Sequence, residues 1–207
     1  VVGYVFGVDL FRTIGGAGLL AVAAVVTILV ASIRALGETN LKRRLAYSTI
    51  GQLSYVVLGA AIGSVAALAG AMFYLVAHAF MKITLFFVAG AIHIEKHRNK
   101  VSELRGMAQE MPVTMAAFAV GASGLAGIPL FVGFIGKWNL GLGALDAGYP
   151  LLVFVLVTSG LLNVMYFYPI LYDGFFRPPD HNNGNAGAGR VGRLSREARW
   201  TMSMPLA

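Results

Sequence analysis

The chain has 207 residues, 57% of them hydrophobic and 12% charged, with a net charge of +7 and no cysteine. Its mean hydropathy of +0.74 is far above that of a soluble domain, which points to a membrane solvent. The missing cysteines exclude a disulfide framework and a thiolate metal site; the basic residues lie between apolar runs rather than on one aromatic-bearing face, which argues against nucleic acid.

A helix crossing the hydrocarbon core needs about 20 mainly apolar residues. The sequence predicts an all-α membrane protein with five spans, over residues 14–36, 45–62, 66–92, 112–142 and 150–172. The chain begins at Val1 within an apolar segment lacking a signal-peptide layout, so we expect a fragment of a longer subunit, with residues 1–176 forming one five-helix unit. Basic residues alternate strictly between connections. Arg34, Lys42, Arg43 and Arg44 lie between the first two spans, Lys96, Arg98, Lys100 and Arg105 between the third and fourth, and Arg177 onward after the fifth. The other two connections hold only Asp146, so the positive-inside rule puts the basic connections and the tail in the cytoplasm. Residues 177–207, rich in Pro, Asn, Gly and Arg, read as a flexible solvated loop leading toward a further, truncated helix.

The second span carries Ser48, Thr49, Gln52, Ser54 and Tyr55 in an otherwise apolar run. These are candidate channel-lining groups, although helix–helix hydrogen bonding accounts for such residues equally well. The third span buries His78 and Lys82, four residues apart and therefore on one helix face. A central lysine costs about 2.5–3.5 kcal/mol on insertion scales, which makes it a candidate functional site by default. Burial brings a neutral lysine within reach, and histidine titrates near neutrality, so a proton relay suits this pair. The competing reading is an interior lysine paired with a carboxylate elsewhere. Thr84 either tunes Lys82 or bonds its own backbone.

In the fourth span Gly127 and Pro129 interrupt the apolar run, and Lys137 follows two turns later. Proline removes a backbone donor and leaves the carbonyl of Leu125 without its helical partner, so a broken helix is expected. Irregular backbone at membrane depth is tolerated where it is buried in protein or lines a wet cavity. Asn163, Tyr166 and Tyr168 in the fifth span read as packing and interface anchors. His93 and His97 read as a solvated connection, two potential ligands being too few for a metal site. None of the five spans contains Asp or Glu, and no phosphate loop, dinucleotide fingerprint or nucleophile elbow is present, so no cofactor is expected.

The strings NLKRRLAYSTIGQLSYVVLG, AHAFMKITLFFVAGAI and GIPLFVGFIGKW, in this order, resemble the proton-conducting antiporter-like subunits shared by Mrp-type Na⁺/H⁺ antiporters and respiratory NADH–quinone oxidoreductase. The segments MPVTMAAFAVGASGLAGIPL and SGLLNVMYFYPILYDGFFRPP are more similar to the D-type component of the Mrp antiporter. The resemblance implies a multi-pass subunit of the prokaryotic cell membrane with two inverted five-helix repeats, of which this chain would supply the second. It implies that His78 and Lys82 are the relay pair of a continuous helix and that Lys137 is the lysine of the discontinuous one. Gln52 departs from relatives that carry histidine there, and an amide does not titrate. The implied partners are other membrane subunits of a hetero-oligomeric complex, protons, Na⁺ or other monovalent cations, and the lipid bilayer. The implied function is proton or Na⁺/H⁺ transport, with a proton-pumping subunit of a redox complex and a purely structural subunit as the alternatives.

Overall fold

The computed structural model describes residues 15–178. Ile14 and the expected loop and truncated helix beyond Pro178 lie outside the described residues. Helix α1 spans Gly16–Gly37, α2 Leu41–Ile62 and α3 Val65–Lys96; a 3₁₀ turn at Val101–Leu104 and short α4 at Met107–Glu110 follow. Then come α5 at Pro112–Ala126, α6 at Val132–Asp146 and α7 at Pro150–Phe176. Helices α1, α2, α3 and α7 are each long and apolar enough to cross a bilayer. In place of the fourth expected span, residues 112–142, the structure has the two 15-residue helices α5 and α6 with an interruption between them.

Local chemistry sets the helix ends. The Asn40 side chain accepts from the backbone N–H groups of Lys42 and Arg43, so α2 starts four residues earlier than hydropathy alone suggests. Ser64 caps α3 by accepting from Ala67 N–H, and its hydroxyl also donates to Gly143 O at 2.9 Å, tying α3 to α6. Pro112 and Pro150 occupy the first turns of α5 and α7, where a missing N–H costs nothing. Pro169 lies inside α7.

The basic connections meet at one end. Leu41 N–H donates to Asn99 O at 2.8 Å, Val101 N–H to Thr39 O at 2.9 Å and Gly106 N–H to Asp173 O at 3.0 Å. The turns at Gly63 and Gly148 lie at the opposite end. Glu103 accepts from Lys100 N–H and Asn99 N–H at 3.0 Å each, and the Lys100 bond first of all holds its carboxyl below the usual value of 4.5. For Glu110, burial pushes the carboxyl up, but a hydrogen bond from Lys96 and the nearby Arg98 guanidinium outweigh it and leave it below 4.5.

Two apolar clusters fill the bundle. Leu41, Leu45, Leu85, Leu104, Met115, Phe118, Leu125 and Phe167 pack near the basic end. Ile28, Tyr55, Leu58, Tyr74, Leu140 and Leu156 pack near the other. Helices α3 and α6 approach almost backbone to backbone: a Cβ on Gly136 would stand 2.8 Å from Tyr74 Cβ, and one on Gly70 2.9 Å from Gly136 O. The outward faces carry large exposed apolar residues such as Val22, Phe80, Leu151 and Phe154. In a membrane, lipid or neighbouring protein covers such faces.

Candidate functional site

Between the two apolar clusters lies a layer of buried polar side chains. Along α2 the order is Leu45, Ser48, Gln52, Tyr55; along α3 it is Tyr74, His78, Lys82, Leu85; along α7 it is Leu156, Ser159, Asn163, Tyr166. Spacings of three and four put each set on one helix face, so three polar stripes meet at one depth.

Lys82 is 6% exposed. Its ammonium donates to Leu45 O and to Ser48 Oγ, both at 2.9 Å, using two of its three protons. Leu45 O is also the acceptor for Thr49 Oγ1, so this turn of α2 presents an oxygen-bearing surface to the lysine. Among the described residues no carboxylate lies within ion-pair distance of Lys82 or Lys137.

The helix interruption forms as expected. Gly127 ends α5 in the left-handed region at φ 83°, and Leu130 also has positive φ, at 87°, before α6 begins. Leu125 O, the carbonyl that Pro129 deprives of a helical partner, accepts instead from Lys137 Nζ at 2.6 Å, with Ala126 O at 3.4 Å. The lysine thus sits on the negative end of the α5 dipole. Gly127 is needed twice over, because a Cβ there would also stand 3.0 Å from Lys137 Cδ. The same ammonium lies over the rings of Tyr55 and Tyr74, 5.0 and 5.7 Å from their centroids, close enough for cation–π attraction.

Buried polar side chains occupy the space between the two lysines. The amide of Asn163 is assigned, from its surroundings, with its oxygen toward Lys137 Nζ at 3.3 Å and Gln52 Nε2 at 2.7 Å. Its nitrogen then donates to Tyr166 OH at 2.9 Å and Ser159 O at 3.2 Å. The Tyr166 hydroxyl lies against Ser48 and Gln52, and Ser48 holds Lys82. Tyr74 donates to Gln52 Oε1, and Tyr55 and Ser159 share a hydrogen bond. His78, 4% exposed, interacts electrostatically with both ammonium groups, and its Nδ1 has no hydrogen-bond partner among the described residues.

The structure divides the residues singled out from sequence. Lys82, His78, Lys137, Ser48, Gln52 and Tyr55 converge on this layer. Ser54 and Thr84 do not: their hydroxyls donate to Ile50 O and Phe80 O, one turn back on their own helices. Asn163 and Tyr166, expected to serve packing, are 1% exposed and lie at the centre of the polar layer. Tyr74 and Ser159 join the layer without standing out in the sequence, although each continues a polar stripe at spacing four. Arg44, one of the basic residues expected between the first two spans, lies inside α2. It is 7% exposed and donates to Glu38 O and Tyr166 O at 2.9 Å and to Leu36 O at 3.4 Å. It thereby fastens the α1–α2 connection to the part of α7 that Pro169 interrupts. His93 and His97 face each other with ring centroids 6.2 Å apart, and no group of three or more potential metal ligands occurs among the described residues.

Residues 8–163 match the family model described as NADH:quinone oxidoreductase/Mrp antiporter, transmembrane. The chain is 43% identical over 150 residues to NADH-quinone oxidoreductase subunit N of Desulforudis audaxviator, covering 72% of this chain and 30% of the relative. It is 33% identical over 166 residues to F(420)H(2) dehydrogenase subunit N of Methanosarcina mazei, covering 76% of this chain and 34% of that relative. Among solved structures, a chain of the Mrp complex from Dietzia sp. DQ12-45-1b superimposes with TM-score 0.76 at 32% identity, over 79% of this chain and 31% of that one. A chain of the membrane-bound sulfane sulfur reductase, an archaeal respiratory membrane complex, gives TM-score 0.76 at 25% identity, over 91% and 37%. The chain thus spans about a third of the length of the curated relatives it matches, 30% and 34% for the two named.

Proposed function

Because this chain belongs to the NADH:quinone oxidoreductase/Mrp antiporter transmembrane family, we propose that it forms part of a proton pathway through the membrane, carried by Lys82, His78 and Lys137. The observation that carries this reading is the buried polar layer shared by the two lysines: Ser48 accepts from Lys82, Asn163 bonds Lys137, Gln52 and Tyr166, and the Tyr166 hydroxyl lies beside Ser48 and Gln52. Neither lysine has a carboxylate counter-charge among the described residues. An ammonium held by carbonyls, a hydroxyl and aromatic faces keeps no formal anion against it when its proton leaves, so gain and loss of that proton are less lopsided than in an ion pair.

In this reading each lysine alternates between ammonium and amine. Ser48 and Tyr166 both donate and accept, so their hydroxyls hand a proton along by reorienting. Gln52 and Asn163 cannot titrate; they hold the hydroxyls and Lys137 in register. His78 stands between the ammonium groups with a free ring nitrogen, placed to take a proton from one side and return it to the other. The half-buried Lys137, beside the irregular backbone at residues 127–131, is the access point to one side of the membrane. The end bearing the basic connections faces the cytoplasm.

A second reading, a proton-pumping subunit of a redox complex, is favoured by the 43% identity to an NADH-quinone oxidoreductase subunit. Both readings use the same residues and differ in what drives the proton: a Na⁺ or other cation gradient in one, quinone reduction by partner subunits in the other. The test is ion flux in vesicles containing the full chain with its co-purifying membrane subunits. Lys82→Ala and Lys137→Ala should each abolish proton movement, and unchanged flux in both would leave only a structural role. Proton flux driven by an imposed Na⁺ gradient supports the antiporter; flux that requires NADH oxidation supports the redox subunit.

A further inference from the structure

Helices α1 and α2 leave a groove between them on the outer surface of the bundle. Val26, Thr27, Val30, Ala31 and Arg34 form one wall, and Tyr47 and Ile50 the other. Its space, about 230 Å³, falls short of the roughly 300 Å³ at which small-molecule pockets begin. From Val26 to Arg34 the groove follows α1 for about 12 Å, at 1.5 Å per residue. Its floor offers no free polar group, because the Thr27 hydroxyl is spent on Ala23 O at 2.7 Å. Such a slot fits a hydrocarbon chain.

Polar character is confined to the end where α1 finishes, at the level of the basic connections. Arg34 occupies the last turn of α1 and is exposed, with the half-buried Tyr47 phenol on the facing wall. The other cations at this end are mostly engaged: Arg43 with Glu38, Lys96 and Arg98 with Glu110, Arg177 with Asp173, and Arg44 with backbone carbonyls. Arg34 has no carboxylate within ion-pair distance among the described residues. A guanidinium at the headgroup level, above an apolar slot that runs into the hydrocarbon region, is complementary to one kind of molecule.

We propose that this groove is a binding site for an anionic phospholipid, with one acyl chain lying between α1 and α2 along Val26, Val30 and Ile50 and the phosphate paired with Arg34. The site is independent of the polar layer, so it stands whether or not protons move through the chain. Its occupant also shields the α1–α2 seam, which α3 does not cover.

The full chain with its co-purifying subunits, delipidated in detergent, is titrated with phosphatidylglycerol, phosphatidylcholine and inorganic phosphate while thermal unfolding and bound lipid are followed. Phosphatidylglycerol should bind about fivefold more tightly than phosphatidylcholine, the value of one cation near a lipid surface. Inorganic phosphate alone should give no shift. Arg34→Gln should erase the preference between lipids, and Val30→Trp, at an exposed position, should block the slot and abolish binding with Arg34 intact. Equal binding of both lipids by the unmodified protein, or an undiminished preference in Arg34→Gln, overturns the proposal. A photo-crosslinker at Val30 that captures another polypeptide in native membranes, rather than lipid, overturns it as well.

Discussion

Replacing Asn163 by Asp tests whether the polar layer works by letting Lys137 release its proton. The two side chains are nearly isosteric, and the amide oxygen of Asn163 already lies 3.3 Å from Lys137 Nζ. A carboxylate there attracts the ammonium by about 5 kcal/mol at an effective dielectric constant near 20. Desolvating the new charge takes back part of this. Even about half of the attraction makes proton release from Lys137 roughly a hundredfold harder. Tyr166 OH can turn to donate to the new oxygen, whereas Ser159 O loses a donor, so the fold should change by no more than about 1 kcal/mol. The assay pairs thermal unfolding in detergent with proton flux in vesicles, using the full chain in its complex. The expected result is nearly unchanged unfolding with flux down by tens of fold. Flux at the unmodified rate in a folded, assembled Asn163→Asp protein would refute the idea that Lys137 must let go of its proton.

Ser54→Ala and Thr84→Val serve as controls: both hydroxyls bond only their own helices, so flux should hold and stability should move by less than about 0.5 kcal/mol. Gly136→Ala should cost about 1–3 kcal/mol in thermal unfolding, because its Cβ would press on Tyr74 Cβ at 2.8 Å and Tyr74 Cα at 3.1 Å and force α6 off α3. Arg44→Gln leaves the carbonyls of Glu38 and Tyr166 without a charged donor and should cost about 1.5–3 kcal/mol, read in the same assay. Glu103 and Glu110 are held below the ordinary carboxyl value of 4.5, so the folded connection binds their protons more weakly than the unfolded chain does. Their contribution is therefore present above pH 4.5 and is lost as pH falls through the lower folded values. Hydrogen-exchange protection over residues 97–111, taken relative to the intrinsic rate at each pH, should fall in acid, and Glu110→Gln should blunt that response.

Much of this architecture is legible in the residues. Five apolar runs correspond to α1, α2, α3, the α5–α6 pair and α7, and the pair Gly127 and Pro129 marks the broken helix to within a residue or two. That Lys137 takes up the freed Leu125 carbonyl is not legible in the same way, because it depends on how α6 packs against the end of α5. Helix ends are harder to read. Asn40 and Ser64 override hydropathy through caps, so α2 takes in the basic residues that composition assigns to a loop, and Arg44 turns inward to reach carbonyls that only the folded chain brings near. The polar layer is half visible. Ser48 and Gln52, or His78 and Lys82, stand out against apolar neighbours, but Tyr74 reads as one more aromatic in an aromatic run. Asn163 and Tyr166 gain their meaning from the depth at which α7 meets α2, a tertiary fact that periodicity within one helix cannot carry. Ser54 and Thr84 follow the local reading also open to them, since a hydroxyl in an apolar helix has its own carbonyl one turn back as a ready partner.

The central claim is that Lys82 and Lys137 act by releasing and regaining protons, and not merely by being cationic. Arginine keeps the charge but does not deprotonate in proteins. Proton translocation by vesicles carrying Lys82→Arg and Lys137→Arg, each in the full complex and matched for assembly, therefore separates the two roles. The account predicts loss of translocation in both variants as severe as with a neutral replacement; translocation at the unmodified rate in either would contradict it.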